Sequence, residues 1–351
     1  FSGVRLGEAR VWSIFHPASG GAFSRYLEYA KGYNFTERMP LFAKVEKPLS
    51  VNDTMNLMRT HFEDSWFDPR GLTRNDIGAG GGNSAYRWRP LSWKVGGKSY
   101  VNERPVGVQQ TAWTFVAQTR PSMPPPLRAL FWFAPDDSST AVRIPIYGGA
   151  TRIPPSYGDR AGQQPGAAVD YAPETDAYKM SMDSAFWVAN LVANLVYGDR
   201  YSEVMPLVQS KLHEYQDQMF AAAEKTDVMA LALIEAGQYD DAVALITEFG
   251  VTTGEQMTRD WRDFWMFLFS RTRDGFTVTA PVLPQCKPGQ TKLCTARPFP
   301  RAKAVGYSDA WYANMVADGE NAAHYLVPQE HTLDKTTVAA NRRQERGMDK
   351  Q

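Results

Sequence analysis

The stretch Tyr178–Tyr197, YKMSMDSAFWVANLVANLVY, carries the clearest helical pattern in this chain. Its apolar residues recur about every three or four positions and therefore predict an amphipathic helix. These residues are Val188, Leu191, Val192, Leu195 and Val196. Ser181 and Asp183 are candidate caps at the start of this helix, and Gly198 is a candidate stop at its end.

A second stripe on the same segment is polar, which is unusual on an otherwise apolar helix. Asp183, Trp187, Asn190 and Asn194 share one face at helical spacing. If these groups are buried they need partners, because an unpaired buried polar group costs about 1–3 kcal/mol. The stripe therefore either fixes packing through hydrogen bonds to neighbouring backbone, or lines a polar site.

The composition is that of a folded protein with a sizeable core. The 351 residues are 43% apolar and 13% aromatic, which excludes a disordered chain. Lys plus Arg (38) equals Asp plus Glu (38), so the charge balance argues against a nucleic acid or an anionic membrane as the main partner. We also expect no membrane span, because no apolar run reaches the roughly 18–20 residues that a spanning helix needs.

Three segments between about residues 105 and 147 predict an antiparallel meander. Gly107–Arg120 alternates between apolar and polar positions, as a half-buried strand does. Leu127–Ala134 is almost entirely apolar and suits a buried strand. Thr140–Tyr147 contains Pro145, which predicts an edge position or a bulge because proline cannot donate to a neighbouring strand.

From about residue 178 to 272 the pattern is helical, and helices following a sheet predict an α+β fold. Residues 1–327 are expected to form the domain, and the charged, aromatic-poor residues 328–351 a flexible tail. Besides the helix already described, the expected helices are Ser50–Phe62 (capped by Ser50 or Asn52), Ser202–Lys225, Thr226–Ala236, Gln238–Phe249, Thr253–Thr272 and Gly306–Val316.

Two sequons and one cysteine pair bear on the cellular compartment. Asn34 and Asn52 stand in Asn-X-Thr tripeptides that permit N-glycosylation in the secretory pathway. Cys286 and Cys294 flank a loop with proline and glycine that suits a disulfide, and two free thiols in a cytosolic loop are the alternative. We expect a secretory, lysosome-like or extracellular location, with the cytoplasm as the alternative.

The sequence contains no self-contained catalytic motif. The five histidines are far apart and form no metal-binding pattern, so no metal site and no cofactor are expected. There is no Gly-X-Ser-X-Gly elbow to support serine chemistry. The glycine run Gly78–Asn83, GAGGGN, lacks the Lys-Ser/Thr that follows in phosphate-binding loops.

A series of motifs, in a fixed order, resembles one known family. The motifs are RVWSIFHP (Arg10–Pro17), the segment Arg38–Pro69, NSAYRWRP (Asn83–Pro90), ERPVGVQQTAWTFVAQTR (Glu103–Arg120), ALFWFAPDDSSTAVRIPIYGG (Ala129–Gly149), MDSAFWVANLVAN (Met182–Asn194), RDWRDFWMFLFSRTRDG (Arg259–Gly275) and GYSDAW (Gly306–Trp311). Together they resemble the later part of the N-terminal-nucleophile cysteine dipeptidases of lactic acid bacteria, which are related to the secernins.

This resemblance implies an αββα sandwich, in which two antiparallel sheets lie between helical layers. It also implies amide hydrolysis by an N-terminal cysteine whose own α-amino group can act as the base. Members of the family begin with that cysteine, in a segment ahead of the motifs found here. We therefore expect a missing N-terminal segment or a companion chain of the same precursor to complete the sandwich and supply the nucleophile.

The expected function is thus a dipeptidase subunit that acts on peptide substrates. Another amide hydrolase of the same fold is one alternative, and a non-catalytic structural or binding descendant is another. The nucleophile is not expected among the residues of this chain.

Nine residues are candidates for contacts with the substrate or the oxyanion under this resemblance. Each has a structural alternative, such as a surface ion pair for the arginines or ordinary sheet packing for the strand residues. They are Asn190 and Asn194 (oxyanion or carboxylate donors), Asp183 (substrate amine), Arg87, Arg89 and Arg104 (carboxylate), and Gln110, Thr111 and Trp113 (strand near the site).

Overall fold

A computed structural model describes residues 2–68, 92–101, 104–158, 172–198, 200–279, 301–304, 306 and 309–317. The chain divides into two compact units, Phe1–Gly306 and Tyr307–Gln351. Several residues named above lie outside the described residues: Arg87, Arg89, Cys286, Cys294 and the tail 328–351.

The first unit is built mainly from helices, of which the two longest follow each other directly. Its α-helices in the described ranges are α1 (Ser2–Ala18), α2 (Leu27–Ala30), α3 (Val51–Leu57), α4 (Ala185–Tyr197), α5 (Tyr201–Glu235) and α6 (Tyr239–Thr272). In that part of the chain, no helix is both long and apolar enough to traverse a lipid bilayer.

The described strands of this unit form three small antiparallel sheets. They are β1 (Ser92–Val95) with β2 (Lys98–Val101), β3 (Trp113–Thr119) with β4 (Ala129–Pro135) and β5 (Ile144–Tyr147), and β6 (Phe276–Thr279) with β7 (Arg301–Ala304). The strand order β3-β4-β5 confirms the predicted meander. Pro145 lies in β5, an edge strand of this sheet, as predicted.

The β3–β5 sheet buries one face against the long helices and leaves the other exposed. Leu130 and Trp132 pack with Ala230 and Ile246 of α5 and α6. On the opposite face Phe131 is 42% exposed, because no described helix covers it. The nearly continuous apolar run therefore forms a strand that is buried on alternate residues, and the prediction of a buried strand holds for one face only.

Two pairs of predicted helices are in fact single long helices. α5 continues from Lys225 into Thr226, where neither glycine nor proline interrupts the hydrogen-bonding pattern. α6 likewise continues through Gly250, which is buried. The predicted break at Gly237 is present, and its φ of +78° is a left-handed conformation that glycine adopts without steric cost.

Another glycine allows α6 to approach the segment that follows the β3–β5 sheet. A Cβ atom on Gly254 would lie 2.3 Å from Cγ of Pro154. The absence of a side chain at this position therefore lets the helix lie directly against Pro154.

Helix α4 begins later than the periodicity predicted. Its first residue is Ala185 and Ser184 occupies the N-cap position, so the proposed caps Ser181 and Asp183 are wrong. Its end at Gly198 was predicted correctly.

The late start of α4 has a local cause. Oδ1 of Asp176 accepts backbone N–H bonds from Tyr178 and Lys179 at 2.6 and 2.8 Å. A side chain that satisfies backbone donors in a turn competes with helix formation. The chain from Asp176 therefore enters a turn first and becomes helical afterwards.

The short helix α3 is capped by Ser50, one of the two predicted caps. Ser50 Oγ accepts the N–H of Asp53 at 3.0 Å, and the Asp53 carboxylate accepts the N–H of Ser50 at 2.9 Å. This is a capping box, which satisfies two backbone donors at once. The helix ends at Leu57 rather than Phe62, whose φ of +69° is incompatible with continuing it.

Some elements were not predicted at all. They are α1, α2, the β1–β2 hairpin and the β6–β7 pair. In the second unit the described residues include helix α7 (Asp309–Val316), within the predicted segment Gly306–Val316.

Candidate functional site

An open cleft lies between the exposed face of the β3–β5 sheet and the start of α4. We call it the aromatic cleft, because its ring-bearing residues are Trp113, Phe133, Tyr157, Phe186 and Trp187. Its volume is about 370 Å³, within the range of small-molecule sites. Asp176 is the charged residue among those that line it.

The rings stand on two sides of this cleft. On the sheet side, Trp113 stacks with Phe133 at 6.3 Å between centroids, and Phe133 lies 6.1 Å from Tyr157. On the helix side, Phe186 and Trp187 meet edge to face at 5.5 Å. Trp113 is 56% exposed, so much of its ring is open to a ligand.

Next to the cleft along α4, three side-chain amides form a hydrogen-bonded row that ends on a buried carboxylate. Gln109 Nε2 donates to Asn194 Oδ1 at 3.0 Å, and Asn194 Nδ2 donates to Asn190 Oδ1 at 2.8 Å. Asn190 Nδ2 then donates to Asp136 Oδ1 at 2.9 Å. We call Gln109, Asn194 and Asn190 the amide row.

The carboxylate at the inner end fixes how the amides point. Oδ1 of Asp136 accepts the bond from Asn190 Nδ2, and this orientation turns Asn190 Oδ1 toward Asn194. Asn194 also donates to the main-chain oxygen of Asn190 at 2.8 Å, which engages its Nδ2 group twice. Asn190 uses one of its two Nδ2 hydrogens on Asp136, and no bond among the described residues uses the second.

Asp136 is unusual in conformation and in acidity. Its φ is +62°, a left-handed conformation that aspartate tolerates better than most residues, and its N–H donates to Ala112 O at 2.7 Å. Burial raises the pKa of Asp136 to about 7, and the neighbouring carboxylate of Asp137 acts in the same direction, whereas the bond from Asn190 lowers it.

The turn after β4 lies beneath this site and is fully buried. Its side chains belong to a hydrogen-bonded network that includes Tyr197 and His61. The Tyr197 hydroxyl donates to Asp137 Oδ2 at 2.8 Å and lies 2.8 Å from His61 Nε2. His61 Nδ1 lies 3.0 Å from Glu63 Oε1. Burial raises the pKa of Asp137, whereas hydrogen bonds from His61 outweigh burial and lower the pKa of Glu63 to about 2.

Part of this network has the geometry of a Ser-His-Glu triad. Ser139 Oγ lies 3.2 Å from His61 Nε2, on the side of the ring opposite Glu63. However, the side chain of Ser139 is completely buried, and a Cβ on Gly107 would lie only 2.7 Å from its Oγ. No substrate carbonyl fits there, so this arrangement holds the turn in place and is not a nucleophilic centre.

Two buried arginines, Arg59 and Arg143, lie within electrostatic range of Asp137. Arg143 is fully buried, and its main chain is held by Gln216 through bonds of 3.1 and 3.2 Å. Arg59 donates to Ser138 O at 3.2 Å. Burial lowers the pKa of Arg59 to about 9 and that of Arg143 to about 10, while the charge of Asp137 acts in the opposite direction.

A larger cleft lies elsewhere, between α1 and α3, with a volume of about 580 Å³. Its polar residues include Asp53 and Glu63. Asp53 is engaged in the capping box of α3 and Glu63 in the bond to His61. The aromatic cleft is the better candidate because it adjoins the amide row.

The structure brings some of the predicted residues together and leaves others apart. Asn190 and Asn194 join one hydrogen-bonded row, and Trp113 lines the adjacent cleft. Asp183 is exposed, outside the cleft, and forms an ion pair of 3.4 Å with Arg262. The predicted residues that lie near β3 but do not line the cleft are Arg104, Gln110 and Thr111.

Three residues of the site were not predicted: Gln109, Asp136 and Asp176. Gln109 differs from the predicted Gln110 by one position along the chain, and the alternation before β3 did not separate them. Asp136 was assigned to a turn, where aspartate is common, and Asp176 lies between the predicted loop and the predicted helix. In the described ranges, no group of His, Cys, Asp and Glu side chains is arranged to hold a metal ion.

A sequence model of peptidase family C69 matches residues 3–214, which is more than half of the chain. The chain belongs to peptidase family C69. No curated protein matches it significantly. The resemblance stated from the motifs is thereby confirmed, and the chain is that of a peptidase.

The match to family C69 covers the whole candidate site. It spans the β3–β5 sheet, all of α4 and the first part of α5, and so includes the aromatic cleft, the amide row and Asp136. The mixed helix and strand content agrees with the predicted α+β class.

Proposed function

We propose that this chain forms part of a dipeptidase of the N-terminal-nucleophile class, with the catalytic cysteine supplied by a companion segment of the same precursor. The observation that carries this proposal is the amide row beside the aromatic cleft, within the span that matches family C69. A row of oriented amides suits the polar groups of a peptide, and an apolar cleft suits a side chain.

In the proposed reaction the α-amino group of the cysteine takes the proton from its own thiol, and the thiolate attacks the scissile carbonyl. The C–N bond then breaks, the amine leaves with that proton, and water hydrolyses the remaining thioester. The α-amino group is suited to its role because its ordinary pKa, about 7.7–8.0, lies near neutral pH. The negative oxygen that forms needs donors, and the second Nδ2 hydrogen of Asn190 is the donor we assign to it. One such donor is worth about 3 kcal/mol in the transition state.

The exposed face of the β3–β5 sheet supports the companion segment. Phe115 and Phe131 are 38% and 42% exposed and lie side by side across β3 and β4, outside the aromatic cleft. An exposed patch of large apolar residues commonly marks an interface. In an αββα sandwich the second sheet would cover this patch.

The location proposed for this peptidase is the secretory pathway. Asn34 and Asn52, the acceptors of the two sequons, are both exposed. Exposure is what glycosylation requires, and it supports the assignment. A mobility shift of the secreted protein after glycosidase treatment would test it, with Asn34→Gln and Asn52→Gln as the variants that remove the shift.

The companion segment is tested by intact mass and N-terminal sequencing of every polypeptide that co-purifies with this chain. A polypeptide that begins with cysteine, together with loss of dipeptide hydrolysis after thiol alkylation, is the expected result. A purified protein that hydrolyses dipeptides without such a cysteine would contradict the proposed chemistry. A cysteine-headed complex that hydrolyses other amides but not dipeptides would contradict the proposed substrate.

The role of Asn190 is tested separately, by comparing Asn190→Ala with Asn194→Ala. Loss of an oxyanion donor lowers kcat by about 10²–10³-fold. Asn194 directs its Nδ2 group at Asn190. Asn194→Ala is therefore expected to lower kcat much less than Asn190→Ala does. Equal losses in kcat from both variants would contradict this assignment.

A further inference from the structure

The aromatic cleft combines ring faces with one fixed negative charge. Trp113 and Phe133 stand on the sheet side and Trp187 on the helix side. Among the described residues that line the cleft, none is Lys or Arg, and the described cation–ring contacts involve other rings. The described walls of the cleft therefore combine a negative charge with aromatic faces.

The carboxylate of Asp176 is held in one position at the cleft. Backbone N–H groups of Tyr178 and Lys179 bind its Oδ1 and lower the pKa of Asp176, so the side chain is ionised at neutral pH. The Trp187 indole donates its Nε1–H to the main-chain oxygen of Asp176 at 3.2 Å. This bond ties the charged residue to one of the ring walls.

We propose that the aromatic cleft binds an organic cation on an apolar stem, namely the ammonium or guanidinium of a substrate residue. Aromatic faces attract cations, most strongly when the cation is partly removed from water. The apolar stem contacts the rings, and the charge lies near Asp176. Lysine and arginine side chains have this combination of stem and charge.

The position of the cleft relative to the amide row agrees with this role, and this step rests on the proposed function. Trp187 and Asn190 are three residues apart on α4, about 4.5 Å along the helix axis. A peptide whose side chain enters the cleft would thus have its main chain close to Asn190. The cleft then selects the residue next to the scissile bond.

Calorimetry with three small probes tests the cation in the full-length protein without relying on catalysis. Nα-acetyl-lysine amide carries only the side-chain ammonium, Nα-acetyl-norleucine amide is its uncharged counterpart, and leucine amide carries only the α-ammonium. We expect the lysine probe to bind about tenfold more tightly than the norleucine probe. Tighter binding of leucine amide than of the lysine probe would overturn the proposal, because it would assign the cleft to an α-ammonium. Equal affinity of all three probes would also overturn it.

Matched variants locate the binding site. Asp176→Asn removes the charge but keeps an oxygen for the N–H groups of Tyr178 and Lys179, and it should abolish the tenfold preference. Asp183→Asn removes an equally exposed carboxylate outside the cleft and should leave the preference unchanged. An equal effect of the two variants would show that the cleft is not the site.

A second pair of variants tests the rings and guards against misfolding. Trp113→Leu should weaken binding of the lysine probe, whereas Phe267→Leu, which changes an exposed ring of α6 outside the cleft, should not. Circular dichroism confirms that each variant is folded. If the preference persists in Trp113→Leu, the proposal is wrong.

Hydrolysis assays separate this inference from the proposed function. A preference in kcat/KM for lysine-containing over norleucine-containing dipeptides, lost in Asp176→Asn, would support both. Binding of the lysine probe without hydrolysis of any dipeptide would contradict the proposed function alone. Hydrolysis without any cation preference would contradict the inference alone.

Discussion

At the scale of the residue, Asp136 has the largest influence on the candidate site. Its carboxylate sets the direction of the whole amide row, yet burial beside Asp137 makes the ionised form costly. Nothing in its sequence neighbourhood indicates this, because Pro135–Ser139 has the composition of an exposed turn. The burial of this turn depends on Arg59 and His61, which are remote in sequence.

The raised pKa of Asp136 gives a pH-dependent stability with a definite sign. Its folded pKa is about 7 and the ordinary pKa of aspartate is about 3.9, so the folded state holds the extra proton between these values. The contribution of Asp136 to the free energy of unfolding is complete below about pH 4 and decreases as the pH rises toward 7. Asp136→Asn should therefore become more stable than the wild type by a few kcal/mol as the pH rises across this window.

Urea unfolding of both proteins at intervals between about pH 2 and pH 8 measures this difference. Asp53→Asn is a control of opposite sign, because hydrogen bonds from Ser50 lower the pKa of Asp53. The Asp53→Asn variant should have a lower free energy of unfolding than the wild type at neutral pH. This difference should shrink as the pH falls below the ordinary pKa of aspartate. A constant difference between Asp136→Asn and the wild type across the range would refute the assigned pKa.

At the scale of the element, the sequence predicted helices α3 to α7 but placed several of their ends inaccurately, and it did not predict α1 and α2. Gly237, with its left-handed φ, ends one long helix as the sequence indicated. The predicted end of the next helix at Phe249 is wrong, because α6 continues through Gly250: a glycine inside a helix costs only about 1 kcal/mol, and packing outweighs that cost. Gly254 lies one turn further on, and its small size is required by Pro154.

These two glycines of α6 give a matched pair of substitutions. Gly254→Ala should destabilise the protein by about 1–3 kcal/mol, because a methyl group would overlap Pro154. Gly250→Ala should stabilise it by about 0.5–1 kcal/mol, because alanine favours the helix and a Cβ there has no atom within 4 Å. Urea midpoints of the two variants measure both effects, and destabilisation of similar size in both would contradict the close approach at Gly254.

At the scale of the whole molecule, the β3–β5 sheet is the feature that connects fold to function. One face is covered by α5 and α6, and the other presents aromatic side chains. The proposed companion segment would remove this apolar surface from water. The exposed face is therefore expected to behave as an interface, and the buried face as a core.

Substitutions on the two faces of β4 should have different consequences. Phe131→Thr keeps a residue suited to strands and should leave the stability of the chain nearly unchanged, while weakening its association with the companion segment and its binding of a hydrophobic dye. Trp132→Thr, at 3% exposure, should destabilise the chain by about 3–5 kcal/mol. Thermal unfolding and co-purification measure the two effects, and severe unfolding caused by Phe131→Thr would show that its face is already covered.

The sequence by itself determined the α+β class, the β3–β5 meander, the edge position of Pro145 and the family. These follow from local patterns, since periodicity, proline and motif order are properties of neighbouring residues. It also identified Asn190 and Asn194 as polar residues on one helix face that need partners.

Only the tertiary structure decided which residues are the hydrogen-bond partners of Asn190 and Asn194. Gln109 and Asp136 come from segments far from α4 in sequence, and the aromatic cleft joins residues of the β3–β5 sheet to the turn at Asp176 and the start of α4. Burial, and with it the pKa of Asp136, depends on which segments cover a residue. That is a property of long-range packing, which no local pattern in the sequence records.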